Sequence, residues 1–507
     1  MLHLNWLLVV LLLLIVKQTL QNQLVKFECE NHTSCKFKFI TENYEINQFF
    51  NGFYNGYYQY YNATTKSNVE IYFSRITKIK FEESHFESFP ADLSGRLQAL
   101  SNYDVSGVGL IQIKKDDFAN TASLTTLNLS NNNLTSLGNM VFSNMKALTS
   151  LNLSRNQIES MHDGAFDECS TLLKTIDLSY NKILTIREDF FIDLQNSAEK
   201  YGQIMMLDFN EISTIEVTKK QEHIYFELLS LQNNQLSSFD CEKYIIIFLN
   251  LRNNNLDSFD DVKCDCESLL ISGNHLKEIT ITKNLKNLDA SNNEITTVKL
   301  DPNNNSTIES LNMSKNPNAK IDLDFVKKMK FLKKLDLSDI LLGPLQIDAF
   351  SNMLSLEELT LKNTGISNIK FGTFSHQKNL TSLDISNNNL KSLNLHMFTG
   401  LYKLKSFHIS GNNLSTVDNG EAMKASFPQL NEISIHDNNW NCSYLAILVH
   451  SFKDNKINVK MPKTPVSNSS HILGIGCTED SNLKIDLLPE NNNEMNAKLN
   501  ELITKFN

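Results

Sequence analysis

The groups in this chain with chemistry to offer are asparagines, cysteines and histidines, and each type points to a different role. Asn-x-Ser/Thr sequons begin at Asn31, Asn62, Asn128, Asn133, Asn152, Asn304, Asn305, Asn312, Asn379, Asn413, Asn441 and Asn468. In a chain that enters the secretory route, such asparagines accept N-linked glycans. Asn304 and Asn305 overlap, so one glycan is expected there, on Asn304. The eight cysteines, an even number, permit a disulfide framework in an oxidising compartment. His408 and His436 fall on one face beside Asp384 and Glu432, a set able to hold a cation or titrate near neutrality, although a solvated wall explains them better. The sequence contains no H-E-x-x-H, no G-x-S-x-G and no P-loop, and Gly107-x-Gly109 lacks the third glycine of a dinucleotide fingerprint. A bare Cys264-x-Cys266 falls short of the roughly four ligands a metal site needs. No catalytic residue, cofactor or metal is expected, and binding is favoured over catalysis.

The elements that must carry these groups come from one repeated pattern. Leu124-x-x-Leu127-x-Leu129-x-x-Asn132-x-Leu134 recurs as Leu380-x-x-Leu383-x-Ile385-x-x-Asn388-x-Leu390, the leucine-rich-repeat signature. Aligned on the Asn slot, the copies fall at Ser84, Val108, Asn132, Asn156, Asn181, Asn210, Asn234, Asn254, Asn274, Asn293, Asn316, Ile340, Thr364, Asn388, Asn412 and Asn438, which makes about sixteen turns. The spacing is mostly 24 residues, falls to 20 between Asn234, Asn254 and Asn274, and stretches to 29 between Asn181 and Asn210. The fold class this predicts is α/β: a leucine-rich-repeat solenoid, or horseshoe, with a parallel concave sheet and N- and C-terminal caps. The Asn should turn inward and bond backbone groups that the tight turn leaves unpaired. Local irregularity is expected at Val108, Ile340 and Thr364, where that amide is missing. Pairs such as Ala165-Phe166 and Ala349-Phe350 should pack the outer face of the long copies, for which the short copies lack room.

The predicted layout is a signal peptide at 1–25, an N-terminal cap at 26–75, the repeat array at 76–440, a C-terminal cap at 441–477 and a short tail at 478–507. The apolar run Trp6 to Val16 ends at Lys17 and is shorter than the roughly 20 residues a membrane span requires. It reads as the core of a secretory signal cleaved between Lys17 and Lys26, the alternative being an uncleaved anchor. The expected location is therefore extracellular, with no stable membrane insertion. A net charge of -10 argues against nucleic acid and anionic lipid as partners. Cys29 with Cys35, and Cys442 with Cys477, read as cap disulfides. Cys241, Cys264 and Cys266 lie close enough for one bridge; Cys241–Cys264 is preferred because Cys266 takes an apolar slot. Cys169 occupies a Leu slot and reads as a buried thiol.

Residues between the buried leucines of each strand should face solvent on the concave side. Most are Ser, Thr, Asn or Asp, for example Asn128, Asp177, Asp289, Asp336, Asp384 and His408. Ile204, Met206, Phe209, Leu228, Phe248 and Leu270 are exceptions clustered in four consecutive repeats and are the candidate partner-binding residues. A register slip of one residue would instead turn them into the core. Asn128, Asn152 and Asn312 share the strand position of Met206, which leaves a glycan-free window between Asn152 and Asn312.

With its Cys29/Cys35 pair ahead of the repeats, irregular copies such as Leu288-Asp289-Ala290-Ser291-Asn292-Asn293, and the closing Asn438-x-Trp440-x-Cys442-x-x-Leu445, the chain resembles the secreted leucine-rich immune proteins of mosquitoes and related insects. The resemblance implies a haemolymph protein that joins complement-like thioester proteins, or another leucine-rich-repeat chain, in defence. The chain departs from that group at its end. Only Met495, Leu499, Leu502 and Phe506 keep an apolar 4-3-4 spacing, so this is a short form in which dimerisation through a long coiled coil is not expected. The sequence thus points to a secreted binding protein acting in innate immunity, the alternative being an adhesion module of matrix or cell surface.

Overall fold

The computed structural model describes residues 25–31, 34–39, 57–62, 67–72, 76–81, 84–85, 89, 97, 99–119, 121–162, 164–169, 172–187, 190, 202–216, 224–242, 244–260, 263–264, 266–300, 306–321, 328–463 and 470–478. The signal segment and the tail lie outside these residues, as do Asn304, Asn305 and Asn468 and the side chains of Cys29, Cys35, Asn31 and Asn62. The chain forms two compact units, 1–255 and 256–507.

In the first unit, an antiparallel pair, Val25–Asn31 with Ser34–Phe39, sets Cys29 opposite Cys35. Parallel strands then follow in chain order: Lys78–Phe81, Asn102–Asp104, Thr126–Asn128, Ser150–Asn152, Thr175–Asp177, Gln203–Met206, Ile224–Ser230 and Tyr244–Asn250. The second unit repeats the device from Ser268–Leu270 through Asn287–Asp289, Ser310–Asn312, Lys334–Asp336, Glu358–Thr360, Ser382–Asp384, Ser406–His408 and Glu432–Ser434 to Asn458–Val459. Each short strand buries its central residue, as Leu127, Leu151 and Ile176 do, and leaves its neighbours half-exposed. Burying one such side chain contributes about 1.5–3 kcal/mol, so stability accumulates turn by turn.

Phenylalanines fill the outer half of the long copies. Phe89, Phe118, Phe142, Phe166 and Phe190 stack with ring centroids 4.6–5.9 Å apart. Phe350, Phe374 and Phe398 form a second spine at 5.7 and 5.5 Å. The helical share of the α/β expectation is thin. Among the described residues, α-helix is found at Phe190, Met423–Ser426 and Cys442–Asp454, and turns and 3-10 segments make up most of the outer side. In the shorter copies of the second unit, where no room for a helix was expected, Glu278–Ile281 and Thr297–Leu300 pair as an outer two-stranded sheet.

The asparagine slot works as a clamp between neighbouring turns. The Asn132 Oδ1 accepts from the amides of Val108, Gly109 and Leu110, at 3.1, 2.9 and 3.0 Å, and its Nδ2 donates to the carbonyls of Val105 and Leu129 at 2.8 and 2.9 Å. The irregularity expected at Val108, Ile340 and Thr364 is absorbed without loss of strand register. Val108 and Ile340 are buried apolar side chains, and the Thr364 hydroxyl donates to the Leu361 carbonyl at 2.9 Å in place of the amide.

The far end is closed by a cap. Trp440 is fully buried and its Nε1 donates to the Ile435 carbonyl at 2.6 Å. The Asn441 side chain caps the helix Cys442–Asp454 by accepting from the Tyr444 amide, and Leu445, Leu448, Val449 and Phe452 pack inward. Cys442 is bridged to Cys477.

Candidate functional site

The Gln203–Met206, Ile224–Ser230 and Tyr244–Asn250 strands run parallel in a register that sets Ile204 opposite Leu228 and Leu228 opposite Phe248. All three side chains are half-buried: Ile204 lies between the buried Gln203 and Met205, whereas Leu228 and Phe248 follow the exposed Glu227 and Ile247 and precede the buried Leu229 and Leu249. Met206 belongs to the next solvent-facing row, where it is the partner of Asp177 on one side and Ser230 on the other. Ile245 and Ile247, exposed on the Tyr244–Asn250 strand, widen the apolar area. The pairing shifts by one residue between Gln203 and Ile204, and beyond that shift Ile204, Leu228 and Phe248 are half-buried rather than in the core.

Two of the six candidates sit elsewhere. Leu270 is half-buried on the first strand of the second unit. Phe209 lies not on a strand but in the turn beyond it, with φ at 55°, because the chain must enter the left-handed region one residue before each Asn slot. Asn131, Arg155, Tyr180, Phe209, Asn233 and Asn253 are the residues so placed along the first unit. Asn tolerates that conformation, whereas larger side chains meet a cost of about 1–2 kcal/mol. Tyr180 and Phe209 stack face to face at 4.3 Å, and the Arg155 guanidinium lies 4.2 Å from the Tyr180 ring centroid. Both rings remain 40% exposed, so the stack presents its edges to solvent. Sequence reasoning missed Tyr180 and Arg155; the position immediately before each Asn slot was the signal that would have found them.

Charge at this face is one-sided. The Asp208 carboxylate is pushed above its usual range by burial, against the hydrogen bonds from the Ser230 Oγ at 2.5 Å and the Gln232 amide at 2.8 Å, and the nearby Asp177 adds to the rise. Lys174 pairs with Glu227 at 3.1 Å.

The sequons flank this area. Asn128 and Asn152 are register partners on adjacent strands, followed by Asp177 and then Met206 in the same row. With strands about 4.8 Å apart, a glycan on Asn152 would stand about 10 Å from Met206. Their Oδ1 atoms accept from the amides of Ser130 and Ser154, which leaves the nitrogen to carry the sugar. Asn133 and Asn413 are exposed on turns, and Asn312 faces solvent on the second unit's sheet. Asn379 donates to the Leu354 carbonyl.

The second unit's face is built differently. Glu267 pairs with Lys286 at 2.8 Å, Glu309 with Lys333 at 2.7 Å, and Lys334 with Glu358 at 2.7 Å. Farther along, His408 is bracketed by the hydroxyls of Ser406 and Ser434 at 2.8 and 3.0 Å, with Glu432 at 3.6 Å. Burial lowers its pKa, opposed by Asp384 and Glu432 and assisted by Lys460 and His436. No group of three metal-ligating side chains occurs among the described residues.

Of the remaining cysteines, Cys241 and Cys264 are disulfide-bonded. Cys266 is a buried thiol, whereas Cys169 is a half-buried thiol rather than the fully buried one its Leu slot implied. Among the described residues no helix is long and apolar enough to cross a membrane.

The fold is that of a leucine-rich-repeat solenoid. A leucine-rich-repeat model matches residues 122–172, 330–388, 354–414 and 378–440. A leucine-rich-repeat protein of Leptospira interrogans superposes with a TM-score of 0.63 at 19% identity, over 79% of this chain and 99% of that one. The Toll–Spatzle complex of Drosophila gives 0.52 at 18% identity over 76% of this chain, which spans about half of the matched one, 52%. The LRIM1/APL1C complex gives 0.47 at 19% identity over 94% of this chain and 78% of that one. At this level of identity the likeness is one of fold. No curated protein matches the chain in sequence.

Proposed function

We propose that the chain is a secreted, N-glycosylated recognition protein of innate immunity that binds an extracellular protein through the solvent face of its first unit. The observation that carries this reading is the line Ile204, Leu228 and Phe248, in register on adjacent strands at positions where other repeats carry Thr126, Ser150, Thr175, Ser310 and Ser382. Contiguous exposed apolar side chains of this kind mark interaction surfaces. The strained Tyr180 and Phe209 support it, since stacking returns only about 0.5–1.5 kcal/mol of what their backbone conformation costs. The secretory reading draws support from the apolar run Trp6 to Val16, the sequons and the disulfides. The layout shared with insect leucine-rich immune proteins supports a complement-like thioester protein, or another leucine-rich-repeat chain, as the partner. Catalysis has no support in the arrangement of side chains.

Leu228-Leu229-Ser230 becomes a sequon through a single change, so Leu228→Asn would plant a glycan in the middle of the face. The partner should be captured from body fluid by the parent protein and lost with the variant, once mass spectrometry has established occupancy. Unchanged capture by the fully glycosylated variant would overturn the assignment of the face.

A further inference from the structure

The apolar face of the first unit also carries negative charge that no cation among the described residues pairs with. Asp177 is the register partner of Met206, and Asp208 follows Met206 by two residues and is half-buried. Among the described residues neither carboxylate makes an ion pair. Asp177 accepts the Ser179 amide at 2.9 Å, and Asp208 engages the Ser230 hydroxyl and the Gln232 amide through Oδ1 alone. Of the neighbouring cations, Lys174 pairs with Glu227 at 3.1 Å and Arg155 lies over the ring of Tyr180 at 4.2 Å, while Arg252 stands two strands beyond Asp208 in the same row. In the second unit Asp336 and Asp384 hold the strand position of Asp177 and likewise accept the amide two residues on, but the neighbouring positions carry the paired charges Glu267–Lys286, Glu309–Lys333 and Lys334–Glu358 in place of apolar side chains.

Resting on the reading of this face as the docking site, we propose that its occupant is an extended protein segment presenting lysine or arginine between apolar side chains. Two carboxylates set in an apolar surface repel an acidic or phosphate-bearing partner and reward a cation, because charges at a partly desolvated surface interact more strongly than in water. An extended segment places alternate side chains about 7 Å apart on one face, which allows one residue to meet Asp177 and Asp208 while its neighbours cover Ile204, Leu228 and Phe248. The alternation of apolar and acidic groups on the chain is the complement of alternating apolar and basic groups on the partner.

The test uses the full-length glycosylated protein and two fluorescent heptapeptides, one alternating leucine with lysine and the other leucine with glutamate, with binding read by anisotropy at about physiological ionic strength, where charges are screened beyond about 8 Å. The lysine peptide should bind at least about tenfold more tightly than the glutamate peptide, a difference of about 1.4 kcal/mol. Asp177→Gln/Asp208→Asn, which removes both charges and, unlike Asn at 177 ahead of Leu178 and Ser179, builds no sequon, should erase that preference. Leu228→Ser/Phe248→Ser should abolish binding of both peptides while secretion and Tm hold, and Leu228→Asn with its glycan serves as a second blocking variant if the double change fails to fold. Equal binding of the two peptides, or a lysine preference that survives removal of both carboxylates, overturns the proposed chemistry and leaves the face itself standing. Undiminished lysine-peptide binding by both blocking variants overturns the face as well. A concentration-dependent dimer of the protein alone, abolished by the blocking variants, would replace the segment with a second copy of this chain.

Discussion

The two units present the same strand positions to solvent and fill them with opposite chemistry. In the first, Ile204, Leu228 and Phe248 align across adjacent strands. In the second, the corresponding row includes Ser310, Lys334, Glu358 and Ser382, flanked by the pairs Glu267–Lys286 and Glu309–Lys333. The repeat constrains only the buried residues of each strand, so solvent-facing positions can vary without cost to the fold. An ion-paired face is satisfied by itself and by water; covering it would desolvate charges for little return. An apolar face releases water on contact, at about 25 cal/mol per Å². The docking face proposed above is therefore the one in the first unit.

The sharpest way to break this comparison is to plant a glycan on each face in turn. Leu228→Asn builds a sequon on the apolar face, and Asp336→Asn builds one with Leu337 and Ser338 on the charged face. Asn at 336 keeps the acceptor for the Ser338 amide, now held at 2.9 Å by Asp336. Capture of the partner should fall by about a hundredfold or more for the first variant, a loss of about 2.7 kcal/mol, and stay unchanged for the second. Surface plasmon resonance on the two occupied variants checks this, and equal losses would erase the distinction between the faces.

A second contrast concerns the clamps inside the stack. Asn132→Ala strands the amides of Val108, Gly109 and Leu110 and the carbonyl of Val105. Each unsatisfied buried group costs about 1–3 kcal/mol, so the loss should reach about 3 kcal/mol or more. Thr364→Val removes the hydroxyl that donates to the Leu361 carbonyl and to the Asn388 Oδ1, while Asn388 continues to accept from the amide of residue 364. A loss of about 1 kcal/mol is expected there. Denaturant midpoints should rank the two in that order; equal effects would mean that the Thr364 hydroxyl carries as much as a full amide.

Acid should act on the units with opposite sign. The Asp208 pKa is raised, so the folded state binds a proton more readily than the unfolded chain does, and the contribution of Asp208 to stability falls as pH rises from the unfolded carboxylate value towards the folded one. The His408 pKa is lowered, so its contribution rises as pH climbs from the folded value to the unfolded value near 6.5. His408→Gln, which builds no sequon ahead of Ile409 and Ser410, should flatten the loss of stability as pH falls below about 6.5, and Asp208→Asn should steepen the loss as pH falls towards the unfolded carboxylate value by removing an opposing contribution. Thermal unfolding across that range reads both, and parallel pH profiles for the two variants would show that neither shift operates as described.

Much of this was legible because the repeat is a counting device. The Asn slots fix which residues are buried, and the strand register followed from Leu124, Leu127 and Leu129 and their equivalents without knowledge of the turns. What escaped detection lies where backbone conformation, not hydrophobic period, decides direction. Phe209 reads as a strand residue until the left-handed turn before Asn210 moves it beside Tyr180. The substitution of Thr364 for the amide was hidden because a hydroxyl can reach the Leu361 carbonyl without disturbing the strand, which composition does not reveal. The outer pairs, Glu278–Ile281 with Thr297–Leu300 and, in longer copies, Ser136–Leu137 with Ser160–Met161 and Thr185–Arg187 with Thr214–Glu216, were hidden because the repeat signature specifies the inner strand and not the pairing of the segment beyond the Asn slot.

The smallest expected effect tests the second unit's face on its own terms. Hydrogen bonding to Lys333 lowers the Glu309 pKa, and the same contact raises that of Lys333. The Glu309 contribution is present above its unfolded pKa and lost as pH falls through the folded value. That of Lys333 is present below its unfolded pKa and lost as pH rises through the folded value. The pair is therefore intact across neutral pH, yet both groups are solvent-exposed and open to screening by salt. Lys333→Ala should leave Tm unchanged within error, and added salt should not separate variant from parent. A clear fall in Tm would mean that the alternating charges act as a cooperative network, and the second face would then owe its composition to stability rather than to the absence of a partner.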